Sequence, residues 1–121
     1  IRRIGEVARL FYEAGQIVLV SAISPLRADR ARARALVPGP DFLEVYCRCP
    51  LAVCEERDSK GLYRKARAGL LPDFTGISSP YEAPEAPDVL VDSAASSVEQ
   101  ETTRLLAELE RRGIVAAAAD L

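Results

Sequence analysis

Histidine, methionine and tryptophan are all missing from this chain of 121 residues, and cysteine occurs only three times. Without imidazole there is no Ser-His or Cys-His nucleophile chemistry. The thiols Cys47, Cys49 and Cys54 also lack the partners of an ordinary zinc site, so no metal ligand is assigned here. Cys47 and Cys49 would point to the same side of a strand, which is poor disulfide geometry. All three thiols read as small buried residues of a reducing, cytoplasmic compartment. Long apolar runs are absent too. The longest, residues 16–23 with its polar flanks, is far short of the roughly 20 residues that span a bilayer, so no membrane partner is expected. The opening Ile1-Arg2-Arg3-Ile4 reads as helix rather than as a signal peptide. A chain that begins inside a helix is expected to be cut from a longer one. Strong charge of either sign is lacking as well: the net charge of −2 gives no basic field for nucleic acid.

What remains is the composition of one small globular domain, 49% hydrophobic and 28% charged. Ile4, Val7, Ala8, Phe11 and Ala14 share a face at helical spacing, predicting a helix over 1–14 that Gly15 stops. Residues 17–23 form a near-continuous apolar strand, as expected where both sheet faces are covered. Ser24-Pro25 then starts a helix to about residue 36, and Pro38-Gly39-Pro40 is a loop. A second strand is expected over 42–49, a short helix from Pro50 to Arg57, and another over 61–68 ended by Gly69. Residues 70–87 carry four prolines and read as mostly irregular. Residues 88–91 form a third strand. Ser96-Ser97-Val98-Glu99 resembles a capping box, opening a last helix over about 97–112 on which Val98, Thr102, Leu105 and Leu109 align. An Ala-rich tail follows at 116–119. This alternation calls for an α/β layered fold with a parallel sheet, in which ligands bind beyond the carboxyl ends of the strands. Three strands are few for such a sheet, so partner strands are expected upstream.

Two segments carry chemistry. At Ile23-Ser24-Pro25 a hydroxyl and free backbone amides meet at a strand end and helix start, an arrangement that binds anions. Ser24 also reads simply as a helix cap, and the two roles are compatible. Residues 56–69 hold Arg57, Lys60, Arg64, Lys65 and Arg67, bounded by glycine and followed by Phe74-Thr75-Gly76. Such a segment can close over phosphates as a lid or be a solvated helix face. Arg27, Arg30, Arg32 and Arg34 form a second basic group. Together these point to a site for an anionic small molecule. Residues 80–87 read as a rigid loop without evident chemistry.

These residues resemble the adenylylsulfate kinase family. The resemblance rests on Arg2-Arg3-Ile4-Gly5-Glu6-Val7-Ala8, Ile23-Ser24-Pro25, Pro50-Leu51-Ala52-Val53-Cys54-Glu55-Glu56-Arg57-Asp58, Lys60-Gly61-Leu62-Tyr63, Lys65-Ala66-Arg67-Ala68-Gly69, Phe74-Thr75-Gly76-Ile77 and Pro80-Tyr81-Glu82. All occur in the family's order and spacing. The resemblance is close from residue 1 to about 92 and looser over the last helix. It implies a three-layer P-loop kinase fold with a parallel sheet, the first two strands and the P-loop lying outside these residues. It also implies transfer of the ATP γ-phosphoryl, with Mg²⁺, to the 3′-hydroxyl of adenosine 5′-phosphosulfate, giving the sulfate donor PAPS of sulfate assimilation. It implies substrate contacts from Ile23, Ser24, Lys60 and Phe74, with Phe74 stacking on adenine. Arg57 becomes a lid-base residue near the nucleotide, and Lys65 and Arg67 lie in the lid, which spans about 57–80. A homodimer and a fusion to a sulfate adenylyltransferase fit the same family.

The family's phosphoserine position is Ser24. In-line transfer between bound partners needs positioning rather than a covalent relay, so Ser24 reads as a positioning group. The sequence departs from the family in lacking G-x-x-x-x-G-K-[ST], the backbone cradle for phosphates. It also departs in the apolar Leu70-Leu71-Pro72-Asp73 of the lid. Residues 1–121 therefore read as a partial kinase domain, inactive alone; the alternative is a non-catalytic module that binds adenylylsulfate or supports dimerisation. In the P-loop kinase fold the P-loop strand lies between the strands expected over 17–23 and 42–49, so these two should not pair directly.

Overall fold

The computed structural model describes residues 1–116, so part of the Ala-rich tail at 116–119 lies outside the described residues. Five helices and two strands are built in the order α1 (Arg2–Glu13), α2 (Arg27–Arg34), β1 (Val45–Arg48), α3 (Leu51–Arg57), α4 (Leu62–Arg67), β2 (Val89–Asp92) and α5 (Val98–Arg111). A 3₁₀ turn, Gly39–Asp41, lies in the expected Pro-Gly-Pro loop. Glycine ends three of the helices in the same manner. After α1, the N–H of Gly15 donates to Tyr12 and that of Gln16 to Phe11; Gly69 and Gly113 follow the same pattern after α4 and α5. Each of these glycines has the positive φ that this termination requires.

β1 and β2 pair in parallel, from Val45 opposite Val89 to Arg48 opposite Asp92. The α/β class and parallel sheet expected from the alternation of elements are thus observed. β1 is shorter than the run expected over 42–49, and β2 keeps the expected length one residue later than 88–91. β2 is the best-covered element: Val89 and Val91 are buried, together with Ala66 of α4 and Glu101 of α5. Glu101 lies there in ionised company, accepting from the Asp92 N–H and from Arg104. α1 packs against α2 closely enough that a Cβ on Gly5 would come within 3.0 Å of Leu36 Cδ1, so glycine is what permits the approach.

Several expectations are corrected. Residues 17–23 form no strand: the described sheet contains only β1 and β2. A strand exists by its ladder, and this apolar segment has no neighbouring ladder; Leu19 is 89% exposed. Residues 17–23 and 42–49 accordingly do not pair. The helix expected from Pro25 begins at Arg27 with Leu26 as its N-cap, so Ser24 is not the cap. The capping box of α5 uses Ser97 and Gln100, one residue later than expected, with both reciprocal hydrogen bonds formed. Val98 on that helix faces solvent. The cysteines are free but not buried, Cys47 being exposed and Cys49 and Cys54 half-buried. Their apolar neighbours in sequence belong to a sheet with few covering layers among the described residues.

Candidate functional site

The carboxyl edge of the sheet is where a parallel α/β protein places its chemistry. β1 leads through Cys49 and Pro50 into α3, and β2 leads into a turn at Ser93. The two edges are laced together. Arg48 pairs with Asp92 at 2.6 Å, and the Ser93 hydroxyl donates to the Arg48 carbonyl. Arg57, at the end of α3, donates through Nη1 to the Ser93 carbonyl at 2.8 Å. Arg57 therefore sits against the end of β2.

Ser24 is half-buried and adopts φ 42°, in the left-handed region that β-carbon-bearing residues avoid. Ile23 beside it is 68% exposed. Two distant residues hold this loop. Arg30 donates through Nη1 to the Ser24 carbonyl at 2.6 Å. Glu82 donates its N–H to the Pro25 carbonyl at 2.8 Å, and its carboxylate accepts the Arg27 N–H at 2.7 Å. The first turn of α2, left without a local cap, is thus capped by a residue 55 positions away. The loop over 80–87 carries this clamp, a role that its rigid sequence did not disclose.

The segment expected as a lid, about 57–80, is built on α4. The Asp58 carboxylate accepts the N–H groups of Tyr63 and Arg64, each at 3.0 Å. Hydrogen bonds, first from the Arg64 N–H, hold the Asp58 carboxyl below its usual range. Phe74 meets the Tyr63 ring edge-on with centroids 5.1 Å apart, and its N–H donates to the Ser78 hydroxyl. Burial first, then the neighbouring Cys49, push the Cys54 thiol up and keep it protonated beneath this segment.

The two basic groups are used differently. In the second, Arg27 pairs with Glu85, Arg30 with Glu44, Arg32 with Asp29, and Arg34 with Glu44 and Asp88. All four pair with carboxylates; Arg30 is largely buried, while Arg27 and Arg32 remain more than half exposed. In the lid, Arg67 is held by Glu55 through two hydrogen bonds of 3.0 and 2.6 Å. Lys60 and Lys65 are exposed and make no ion pair among the described residues. The segment thus exposes two cations and holds one aromatic pair, Tyr63 with Phe74. Ser24 is brought together with Arg30 and Glu82, while Phe74 is brought together with Tyr63.

A parallel sheet flanked by helices, with a serine loop clamped by Arg30 and Glu82, makes this a layered α/β protein. A family model described as adenylylsulphate kinase matches residues 1–92, and the chain belongs to that family. It is 60% identical over 115 residues to the adenylyl-sulfate kinase of Acaryochloris marina, covering 95% of this chain and 56% of that protein. It is 52% identical over 117 residues to the bifunctional enzyme NodQ of Azospirillum brasilense, of which it covers 19%. The fold is similar to that of the Mycobacterium tuberculosis APS kinase CysC, solved in complex with AMPPNP and APS. The TM-score is 0.83 at 45% identity, over 90% of this chain and 64% of that one. The chain thus spans a little over half the length of the curated adenylyl-sulfate kinases it matches.

Proposed function

We propose that this chain is the substrate-loop and lid portion of an adenylylsulfate kinase. The whole protein transfers the ATP γ-phosphoryl to the 3′-hydroxyl of adenosine 5′-phosphosulfate. The observation that carries the reading is the likeness to the mycobacterial kinase solved with AMPPNP and APS. It is supported by the exposed cations Lys60 and Lys65, which make no ion pair among the described residues. Phe74 provides the aromatic face for adenine and Lys60 a charge-assisted contact. Ile23 and Ser24 bind the substrate at the sheet edge, and Arg57 lies near the nucleotide. Lys65 and Arg67 belong to the lid over about 57–80, Arg67 acting through Glu55 as a brace. In such a transfer Mg²⁺ belongs chiefly with the phosphates of ATP. NodQ, as a bifunctional relative, fits a kinase domain fused to a second enzyme, and a homodimer remains part of the proposal.

Ser24 positions substrate rather than carrying phosphate, because in-line transfer needs no relay. The test uses the full-length enzyme. Ser24→Ala should slow transfer yet leave measurable turnover, and mass spectrometry during turnover should find no phosphorylated Ser24. A kinetically competent phosphoserine would reverse this assignment. Wild-type adenylylsulfate affinity in both Phe74→Ala and Lys60→Ala would end the lid reading. Phe74→Ala is expected to cost about 1–3 kcal/mol of that affinity, the value of one base–aromatic stack.

A further inference from the structure

We infer that Arg30 and Glu82 are positioning residues that hold Ser24 in its left-handed conformation and thereby set the affinity for adenylylsulfate. The inference rests on the proposed role of Ser24 in substrate binding and adds what keeps it in place. Arg30 has a side chain only 12% exposed, and all three of its nitrogens are used. Nε donates to Glu44 Oε1 at 3.0 Å, Nη1 to the Ser24 carbonyl at 2.6 Å and Nη2 to the Glu82 carbonyl. Its guanidinium also lies 5.9 Å from the centre of the Tyr81 ring. One planar fork therefore joins β1's entrance, the serine loop and the loop that trails the lid.

The need for such a clamp follows from the backbone. A serine at φ 42° is disfavoured relative to the ordinary regions and persists only where its surroundings over-determine it. The Glu82 N–H and carboxylate fix the backbone one and three residues on, at Pro25 and Arg27, and Arg30 fixes the Ser24 carbonyl itself. Release of either lets Ser24 relax to negative φ, which redirects its hydroxyl and the adjoining amides. Lysine cannot replace Arg30, because an ammonium is a point charge and cannot bridge three acceptors lying in different directions. The residues trailing the lid and the substrate loop also become one mechanical unit.

The experiment measures adenylylsulfate and ATP affinities by calorimetry in the full-length enzyme. Arg30→Lys should weaken adenylylsulfate binding about ten-fold while ATP affinity stays within about two-fold. Glycine accepts positive φ without strain. In a Ser24→Gly background the same Arg30→Lys change should therefore cost less than about three-fold, a coupling that general loss of structure would not produce. Glu82→Ala, a change in an exposed loop, should show the same selectivity and the same coupling, and it decides the matter if Arg30→Lys does not fold. Equal losses in both backgrounds, parallel loss of ATP affinity, or wild-type binding in Arg30→Lys and Glu82→Ala would overturn the inference. Wild-type binding in Ser24→Gly alone would instead remove the substrate role of Ser24 on which it rests.

Discussion

Asp88, just before β2, gathers three partners from separate parts of the chain. It accepts the Glu44 N–H at 2.8 Å, Arg34 Nη2 at 2.6 Å and Arg112 Nη2 at 3.0 Å. Burial pushes its carboxyl up, but the Glu44 N–H and the two guanidiniums outweigh that and hold it at about 2. A carboxylate depressed in the folded state contributes stability above its unfolded pKa, near 4, and loses it as pH falls through about 2. The difference corresponds to about 2 kcal/mol as an upper bound. Denaturant titrations of the full-length protein should therefore show Asp88→Asn less stable than wild type at pH 7. The gap should narrow as pH is lowered from about 4 to 2. A gap that stays constant over that range would mean that the carboxylate's charge contributes nothing.

At the scale of elements, α4 depends on residues outside itself. It has six residues, too few for a stable helix alone. Gly61 at its start adopts φ 66°, and a Cβ there would lie 3.1 Å from Arg64 Nη2. Asp58 satisfies two of the helix's free N–H groups. Asp58→Ala should therefore raise hydrogen exchange across 62–67 by about ten-fold or more while leaving β2 unchanged. Uniform loss of protection in both segments would show that Asp58 supports the whole fold rather than α4. The same elements show what the sequence discloses. Helices α1, α4 and α5 were readable because apolar spacing and a terminal glycine are local signals. Lys60 and Phe74 stand out in the sequence only through the motif they belong to, and their contact with substrate is proposed. The cap of α2 was not, because it comes from Glu82, and no local pattern near Ser24 announces a partner that far along the chain. The carboxylates that pair with Arg27, Arg30 and Arg34 were not legible either, because Glu44, Glu85 and Asp88 lie outside that helix. Apolar character announced a strand at 17–23, but a ladder requires a neighbour and sequence composition does not supply one.

For the molecule as a whole, the largest open question is what covers residues 17–23. Ile17, Leu19, Val20 and Ile23 are all more than half exposed, as are Val7, Leu10 and Phe11 of α1. Ile4, Val7, Phe11, Val18 and Leu19 line an apolar groove of about 400 Å³. Contiguous apolar surface of this kind marks an interaction site or an aggregation liability. The 17–23 backbone contributes no ladder to the described sheet, and its exposed apolar side chains add nothing to the core. Domains of this size are stable by only about 5–15 kcal/mol in total, so a core that leaves this much apolar surface in water has little margin. We expect residues 1–121 expressed alone to melt without a cooperative transition, to bind a hydrophobic dye, and to transfer no phosphoryl group to adenylylsulfate. The full-length kinase carrying the same residues should melt cooperatively and turn over. Circular dichroism melts and a coupled transfer assay on the two proteins side by side make the comparison. A cooperative melt together with turnover by the 121-residue chain would show that residues 17–23 need no further covering, and that the site over Ile23, Ser24, Lys60 and Phe74 is complete without a separate phosphate cradle.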